Sequence, residues 1–352
     1  MAYTAVAKAS AYFDNITWTG SSSTTTITGM GFKPAIIWLK NYDGTGHPRF
    51  NDSTKGIGFN WVPSGNNAND TTNYIASYTA DGFTLTGSAT DANENTEKYT
   101  AACFKANGGT TASNSDGTIT STVQADTTSG VSVVAFTGTG SAATVGHGLG
   151  VAPKFILCKN TAIADRGVTL NMSKIYQSDP ETDNMQFAAN AATLTDQADK
   201  WNDTAPTTTV FSIGTSNMVN GSGEAVVAYC FAEVQGFSKI GYYEGNGNAT
   251  RSAFVYCGFR PKYIMIKKAD GAENWFCKQP NLTGYGVGGR MTRTVKYDDN
   301  TSSTNCTVDI TSTGFRPVTT DTKANGENAV YIYIAFAEMP MVGTNGTVGL
   351  AI

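Results

Sequence analysis

The chain has 352 residues, room for two or three domains. Only 15 % of them are charged, against about 25 % in an ordinary soluble domain, and Gly, Thr, Ser and Asn fill the difference, which excludes long Glu- and Lys-rich surface helices. A net charge of −4 without a basic run excludes a phosphate-binding nucleic-acid groove, and no apolar stretch approaches the roughly 18 residues of a membrane span.

Residues 1–11 show neither the charged start nor the apolar core of a secretory signal, so the protein is expected to stay in a cytoplasm until assembly or release. A unit of about a hundred residues then begins and occurs three times. The first copy, 12–106, has a Gly turn near Gly20, then Gly31-Phe32-Lys33-Pro34-Ala35-Ile36-Ile37-Trp38-Leu39-Lys40, then Asp81-Gly82-Phe83, and closes on Tyr99-Thr100-Ala101-Ala102-Cys103-Phe104. Residues 107–128 read as a polar linker with one strand at Thr118–Val123. The second copy, 129–235, repeats the plan with Gly138, Gly150 to Lys159 around Pro153, Val210-Phe211-Ser212 and Val227-Ala228-Tyr229-Cys230-Phe231. A helix is predicted near Asn190–Lys200. The third copy, 238–340, has Gly245, Gly258 to Lys267 around Pro261, Thr313-Gly314-Phe315 and Ile332-Tyr333-Ile334-Ala335-Phe336. Residues 341–352 form a Gly- and Thr-rich tail.

Each marker has a physical meaning. Pro fixes φ and lacks an N–H, so Pro34, Pro153 and Pro261 suit the start of a strand. The continuous apolar run after each Pro suggests a strand buried on both faces. Lys40, Lys159 and Lys267, six positions after each Pro, are expected to end the run at the surface. The fold predicted is all-β: tandem antiparallel β-sandwiches of lectin-like or jelly-roll kind, in three internal repeats.

Candidate chemistry is sparse. The six cysteines form no C-x-x-C pair; Cys103, Cys158 and Cys230 lie in apolar runs and read as small buried hydrophobes, with disulfides left open. Two histidines, His47 and His147, sit in turn-rich segments and read as solvated or structural. The run Asp91-Ala92-Asn93-Glu94-Asn95-Thr96-Glu97 starts like a calcium loop but has Thr96 where the loop needs Gly and Ala102 where it needs Glu. Glycine clusters at 146–150 and 245–247 precede strands, not helices, and read as turns rather than nucleotide loops. No cofactor and no metal is expected, and no enzyme. Glu233 and Glu338 follow equivalent strands and read as structural. Trp18 and Trp38 lie in strand markers and are expected in the core. Trp61, Trp201 and Trp275 lie in polar loop surroundings and are the candidates for stacking a glycan or touching a partner; the opposing reading is that each plugs a core.

The segments Ala228 to Lys239, Gly245-Asn246-Gly247, Phe254 to Pro261, Asp116 to Val123, Thr144 to Gly150 and Ala205 to Phe211 together resemble repeated domains of tail-fibre-like bacteriophage proteins, many from marine and cyanobacterial hosts. The resemblance covers nearly the whole chain. It implies a virion location and a role in attachment to a host receptor or surface glycan, with other virion proteins as partners. A homotrimer is expected by the same analogy. A head decoration or fibre cap is the alternative, and a polysaccharide depolymerase a third reading.

Overall fold

The computed structural model describes residues 4–63, 72–87, 89–164, 168–170, 182–187, 192, 196–282, 290–291, 294–296, 302–303 and 306–339. The first third contains β1 (Phe13–Thr19), β2 (Thr25–Ile27), β3 (Ile36–Asn41), β4 (Arg49–Asp52), β5 (Ile75–Thr79), β6 (Gly82–Leu85), a one-turn helix α1 (Thr90–Asn93) and β7 (Lys98–Phe104). These make a large antiparallel sheet, β1-β7-β3-β4, and a small one, β2-β6-β5. Next come β8 (Ala112–Asn114), β9 (Ser121–Asp126), β10 (Val131–Thr137), β11 (Ala143–Gly146), β12 (Phe155–Asn160), β13 (Val168–Leu170), β14 (Asn184–Gln186), α2 (Ala198–Trp201), β15 (Val210–Ile213), α3 (Asn217–Asn220) and β16 (Ala225–Phe231). Their large sheet is β14-β13-β12-β16-β10-β9-β8 and the small one β11-β15. The last third has β17 (Ser238–Glu244), β18 (Val255–Tyr256), β19 (Pro261–Lys268), β20 (Phe276–Lys278), β21 (Arg290–Met291), β22 (Thr294–Lys296), β23 (Ser302–Ser303), β24 (Val308–Thr311), β25 (Gly314–Arg316) and β26 (Val330–Ala337). Here the sheets are β17-β26-β19-β20-β22-β23 and β18-β25-β24-β21.

The closing strand of each third lies between the Pro-led strand and the strand before the Gly turn, which is β1, β10 or β17. Phe104 stands opposite Phe13 and Ile36, Phe231 opposite Val131 and Phe155, and Phe336 opposite Ser238 and Tyr263. Alternation then decides the two faces of β7: Tyr99, Ala101 and Cys103 point into the first sandwich with Ile27, Phe83 and Leu85, while Ala102 and Phe104 point the other way. The Pro-led strands are buried along their whole length in the first two thirds, as a run without polar alternation requires.

The outward faces of the three large sheets meet in one core. Phe104, Phe231 and Phe336 converge, with ring centroids 5.4, 5.1 and 6.2 Å apart pairwise. Phe13 stacks on Phe336 at 4.9 Å, and Trp38 packs edge-on to Phe104 at 5.0 Å. Burying several aromatic rings of this size dominates the energetics of any such junction.

Two expectations are corrected. Residues 107–128, expected as a polar linker with one strand at Thr118–Val123, belong to the second sandwich: β9 overlaps the expected strand, β8 and β9 extend the large sheet through the β9–β10 pairing, and Ile119 bridges in parallel to Val145 of β11. The helix expected near 190–200 is a single turn at Ala198–Trp201; residues 190–191 and 193–195, like the tail 341–352, lie outside the described residues. Among the described residues no helix is long and apolar enough to cross a membrane.

Candidate functional site

The three candidate tryptophans have no face in solvent: Trp61, Trp201 and Trp275 are each 1 % exposed. A stacking platform on them is therefore corrected to three core plugs. Trp61 pairs with Phe50 through both backbone bonds, each 3.0 Å, and its ring meets Phe50 edge-on. Trp275 stacks on Phe187 with centroids 5.0 Å apart, and Trp61 lies 6.4 Å from the same Phe187 ring. So the structure brings Trp61 and Trp275 together around Phe187, while Trp201 fills the interior of the second sandwich. Trp38 is in the core as expected, and Trp18 is partly buried against the first sandwich. The polar neighbours of each tryptophan along the chain do not expose it, because the loops fold back and the indole is their apolar anchor.

The repeated lysines are also buried, contrary to the expected surface position: Lys40, Lys159 and Lys267 are fully enclosed. Each ammonium turns into the loop that follows its strand and donates to backbone carbonyls. Lys40 Nζ reaches Gly46 O at 2.6 Å, Lys159 Nζ reaches Ile163 O at 3.1 Å, and Lys267 Nζ reaches Glu273 O at 2.5 Å. A buried charge persists only when it is hydrogen-bonded, and here the loop's carbonyls do that.

A second polar device went unread in the sequence. Asn93, Asn220 and Asn325 are buried, and each stands eleven positions before its closing Phe. Their Oδ1 atoms accept from Ser21 N, Thr139 N and Asn246 N at 3.0, 2.8 and 3.0 Å. Their Nδ2 atoms donate to Ser23 O and Thr86 O, to Ser141 O and Gly214 O, and to Asn248 O and Thr319 O. The turn each one holds is the Gly turn of the sequence pattern. A Cβ on Gly20, Gly138 or Gly245 would come within 2.0–2.4 Å of a carbonyl just after the Asn, so only glycine fits there.

Other titratable groups serve the scaffold. Asp52 is buried where the first and second thirds meet; it accepts from Tyr229 OH at 2.9 Å and Lys55 N at 2.7 Å, and burial pushes its carboxyl up to about 6. His147 accepts from Leu149 N at Nδ1 and lies 3.2 Å from Thr207 O at Nε2, the pattern of a neutral ring protonated on Nε2; burial lowers its pKa. His47 is exposed, and its backbone N–H donates to Asp91. Asp91 and Asn93 of the calcium-like run are engaged by Arg49 and by the Gly20 turn. Glu233 pairs with Lys154 and Lys239 at 2.9 and 2.8 Å, and Glu338 with Arg260 at 2.9 Å. All six cysteines are buried and none is in a disulfide. Lys278, with its pKa lowered to about 8 by burial, donates to the Cys306 carbonyl.

What remains for contact with another molecule is on the surface. Two of the exposed large hydrophobic side chains, Phe254 and Tyr256, stand two residues apart at the start of β18, in the segment Phe254 to Pro261. The chain has no match among curated proteins or solved structures. Its sequence does match, over residues 8–340, the family described as a domain of unknown function, DUF7483. The match spans all three sheet pairs, and the chain belongs to the DUF7483 family.

Proposed function

We propose that this protein is a structural component of a bacteriophage particle, displayed at its surface and contributing to attachment to a host receptor or glycan. The observation that carries the reading is the use made of polar side chains. The three buried Asn, the three buried Lys and the Glu–Lys pairs hold loops and seams, leaving a rigid scaffold that presents loops, the arrangement used for recognition. The sequence resemblance supplies the phage context. Three units built on the same markers are read as copies of one ancestral sandwich. Binding, not catalysis, is the activity proposed, with other virion proteins as partners.

A head decoration or fibre cap is the second reading, favoured by one feature: three sheet pairs around the Phe104, Phe231 and Phe336 cluster suit a threefold mount. A homotrimer remains part of the proposal, and light scattering checks it; the mass of one chain would assign the threefold arrangement to the single chain instead. Immunogold labelling of purified particles separates the readings. Label at the tail is expected; label over the shell would replace attachment by decoration, and unlabelled particles would remove the virion role. Turnover of a host polysaccharide by the purified chain would replace binding by hydrolysis.

A further inference from the structure

Equivalent positions of the three small sheets differ in an informative way. Ile27 pairs with Phe83, Val145 with Phe211, and Val255 with Phe315. Those six side chains point inward and are buried. The residues on either side of Ile27, Val145 and Val255 therefore point outward: Thr26 and Thr28, Thr144 and Gly146, Phe254 and Tyr256. Backbone packing supports the alignment of the first and third sheets. A Cβ on Gly82 would meet Ile27 O at 2.0 Å and Thr28 Cα at 3.4 Å; one on Gly314 would meet Val255 O at 2.0 Å and Tyr256 Cα at 3.2 Å.

In the second sheet this outward strip is covered by the chain itself. Ile119 N donates to Thr144 O at 3.0 Å, Thr118 N and Thr144 N each donate to the other's hydroxyl at 2.9 Å, and Asn114 sits where a Cβ on Gly146 would fall. In the first sheet the strip is hydroxyl-bearing and exposed. The fold thus forms twice without aromatic residues there. In the third sheet the strip carries two rings, 49 % and 59 % exposed. Tyr256 fills the place of Gly146, so a cover of the second sheet's kind does not fit over it. Gly314 stands opposite Tyr256 in the strand pairing, and beyond Phe254 the Arg316 guanidinium is fixed on Ser252 O at 3.1 Å.

We infer that the outward strip of β18, with Phe254 and Tyr256 as its two anchors and Arg316 at its edge, is a saccharide-binding platform. Residues two apart in extended backbone lie about 6.6 Å apart along the chain. The two rings offer their π faces to the electron-poor C–H faces of successive sugar rings, while guanidinium N–H groups suit sugar hydroxyls. Size decides against a protein partner. The exposed parts of two such rings amount to about 200 Å², a quarter of the roughly 800 Å² per side that a stable protein interface covers.

This inference rests on the attachment reading, and the test separates the two. The full chain and a double variant, Phe254→Thr with Tyr256→Thr, are applied to an array of capsular and lipopolysaccharide-derived bacterial glycans, and the strongest binder is titrated by calorimetry. Threonine is what the first sheet carries at the equivalent positions, so the melting temperature is expected to be unchanged. The wild type is expected to bind and the double variant to bind roughly tenfold more weakly or worse. A ring-keeping pair, Phe254→Tyr with Tyr256→Phe, is expected to bind like wild type, and its loss of binding would overturn stacking. Equal binding by wild type and the Thr variant would overturn the platform and leave attachment standing elsewhere on the surface. A wild type that binds no glycan would overturn the platform and the glycan half of the attachment reading, leaving only a receptor that is not a saccharide.

Discussion

Asn220 makes three hydrogen bonds through one buried amide, to Thr139 N, Ser141 O and Gly214 O. Asn220→Ala strands a buried N–H and two carbonyls, which costs about 1–3 kcal/mol, and Asn93→Ala and Asn325→Ala are expected to cost the same. Denaturant unfolding of the three variants checks this; a loss confined to one of them would show that the three turns are not held alike. The lysines behave differently. Lys40→Met keeps the apolar stem and removes the ammonium from Gly46 O, so the expected result is faster amide exchange in the loop after β3 with little change in global stability. These residues also show where sequence reading stopped. The eleven-residue spacing from Asn to Phe is present in the sequence, but a lone Asn in a chain rich in Asn carries no pattern of its own. A Lys after an apolar run looks like a surface stop until the loop that wraps it is known.

Between elements, the seam of β4 against β16 holds a carboxyl that titrates. Unfolded, Asp52 loses its proton near its ordinary value of 3.8; folded, it keeps the proton up to about 6. The folded state therefore binds more protons across that window, and stability falls as pH rises from about 4 to about 6, by roughly 2–3 kcal/mol. Asp52→Asn retains an acceptor for Tyr229 and is expected to flatten this slope in denaturant unfolding measured from pH 4 to 7. His147 acts with the opposite sign. Its folded pKa lies below the ordinary 6.5, so the unfolded chain takes the proton first and stability falls as pH drops below about 6.5. His147→Gln is expected to remove that loss, and a variant whose slope matched wild type would show that the ring is not the group responsible. The strands themselves were legible. Pro34 and Pro153 each precede their strand by two residues, and Pro261 opens its own. Of the β8–β9 hairpin only one strand was legible, at Thr118–Val123 where β9 overlaps it; β8 was not, because it is the short polar run Ala112-Ser113-Asn114 and its strand character comes from pairing with β9, a tertiary effect that local propensity does not contain.

At the scale of the molecule, the shared core predicts one unfolding transition. Phe104→Ala, Phe231→Ala or Phe336→Ala removes a ring from the common cluster and is expected to cost about 3–5 kcal/mol. Each is expected to lower a single calorimetric peak as a whole; a peak that splits would show that the three thirds unfold separately. The six buried thiols provide an independent readout: an aqueous thiol reagent is expected to label none in the folded chain and all six together on unfolding.

The three thirds close into a ring around those phenylalanines, but the chain connects only two of the three seams. The first and third thirds meet through side chains: Lys262 with Asp14 at 2.5 Å, Asn15 with Lys262 O at 3.0 Å, Thr100 with Gln279 at 2.8 Å, and Phe13 on Phe336. Under a mechanical load applied between residues 13 and 336, this is the seam that resists first, since no peptide bond crosses it. A single-molecule pulling trace is expected to show an early, short rip as the ring opens, before the long extensions of unravelling sheets. Sheet rupture with no preceding step would mean that the seam is as strong as the sheets it joins.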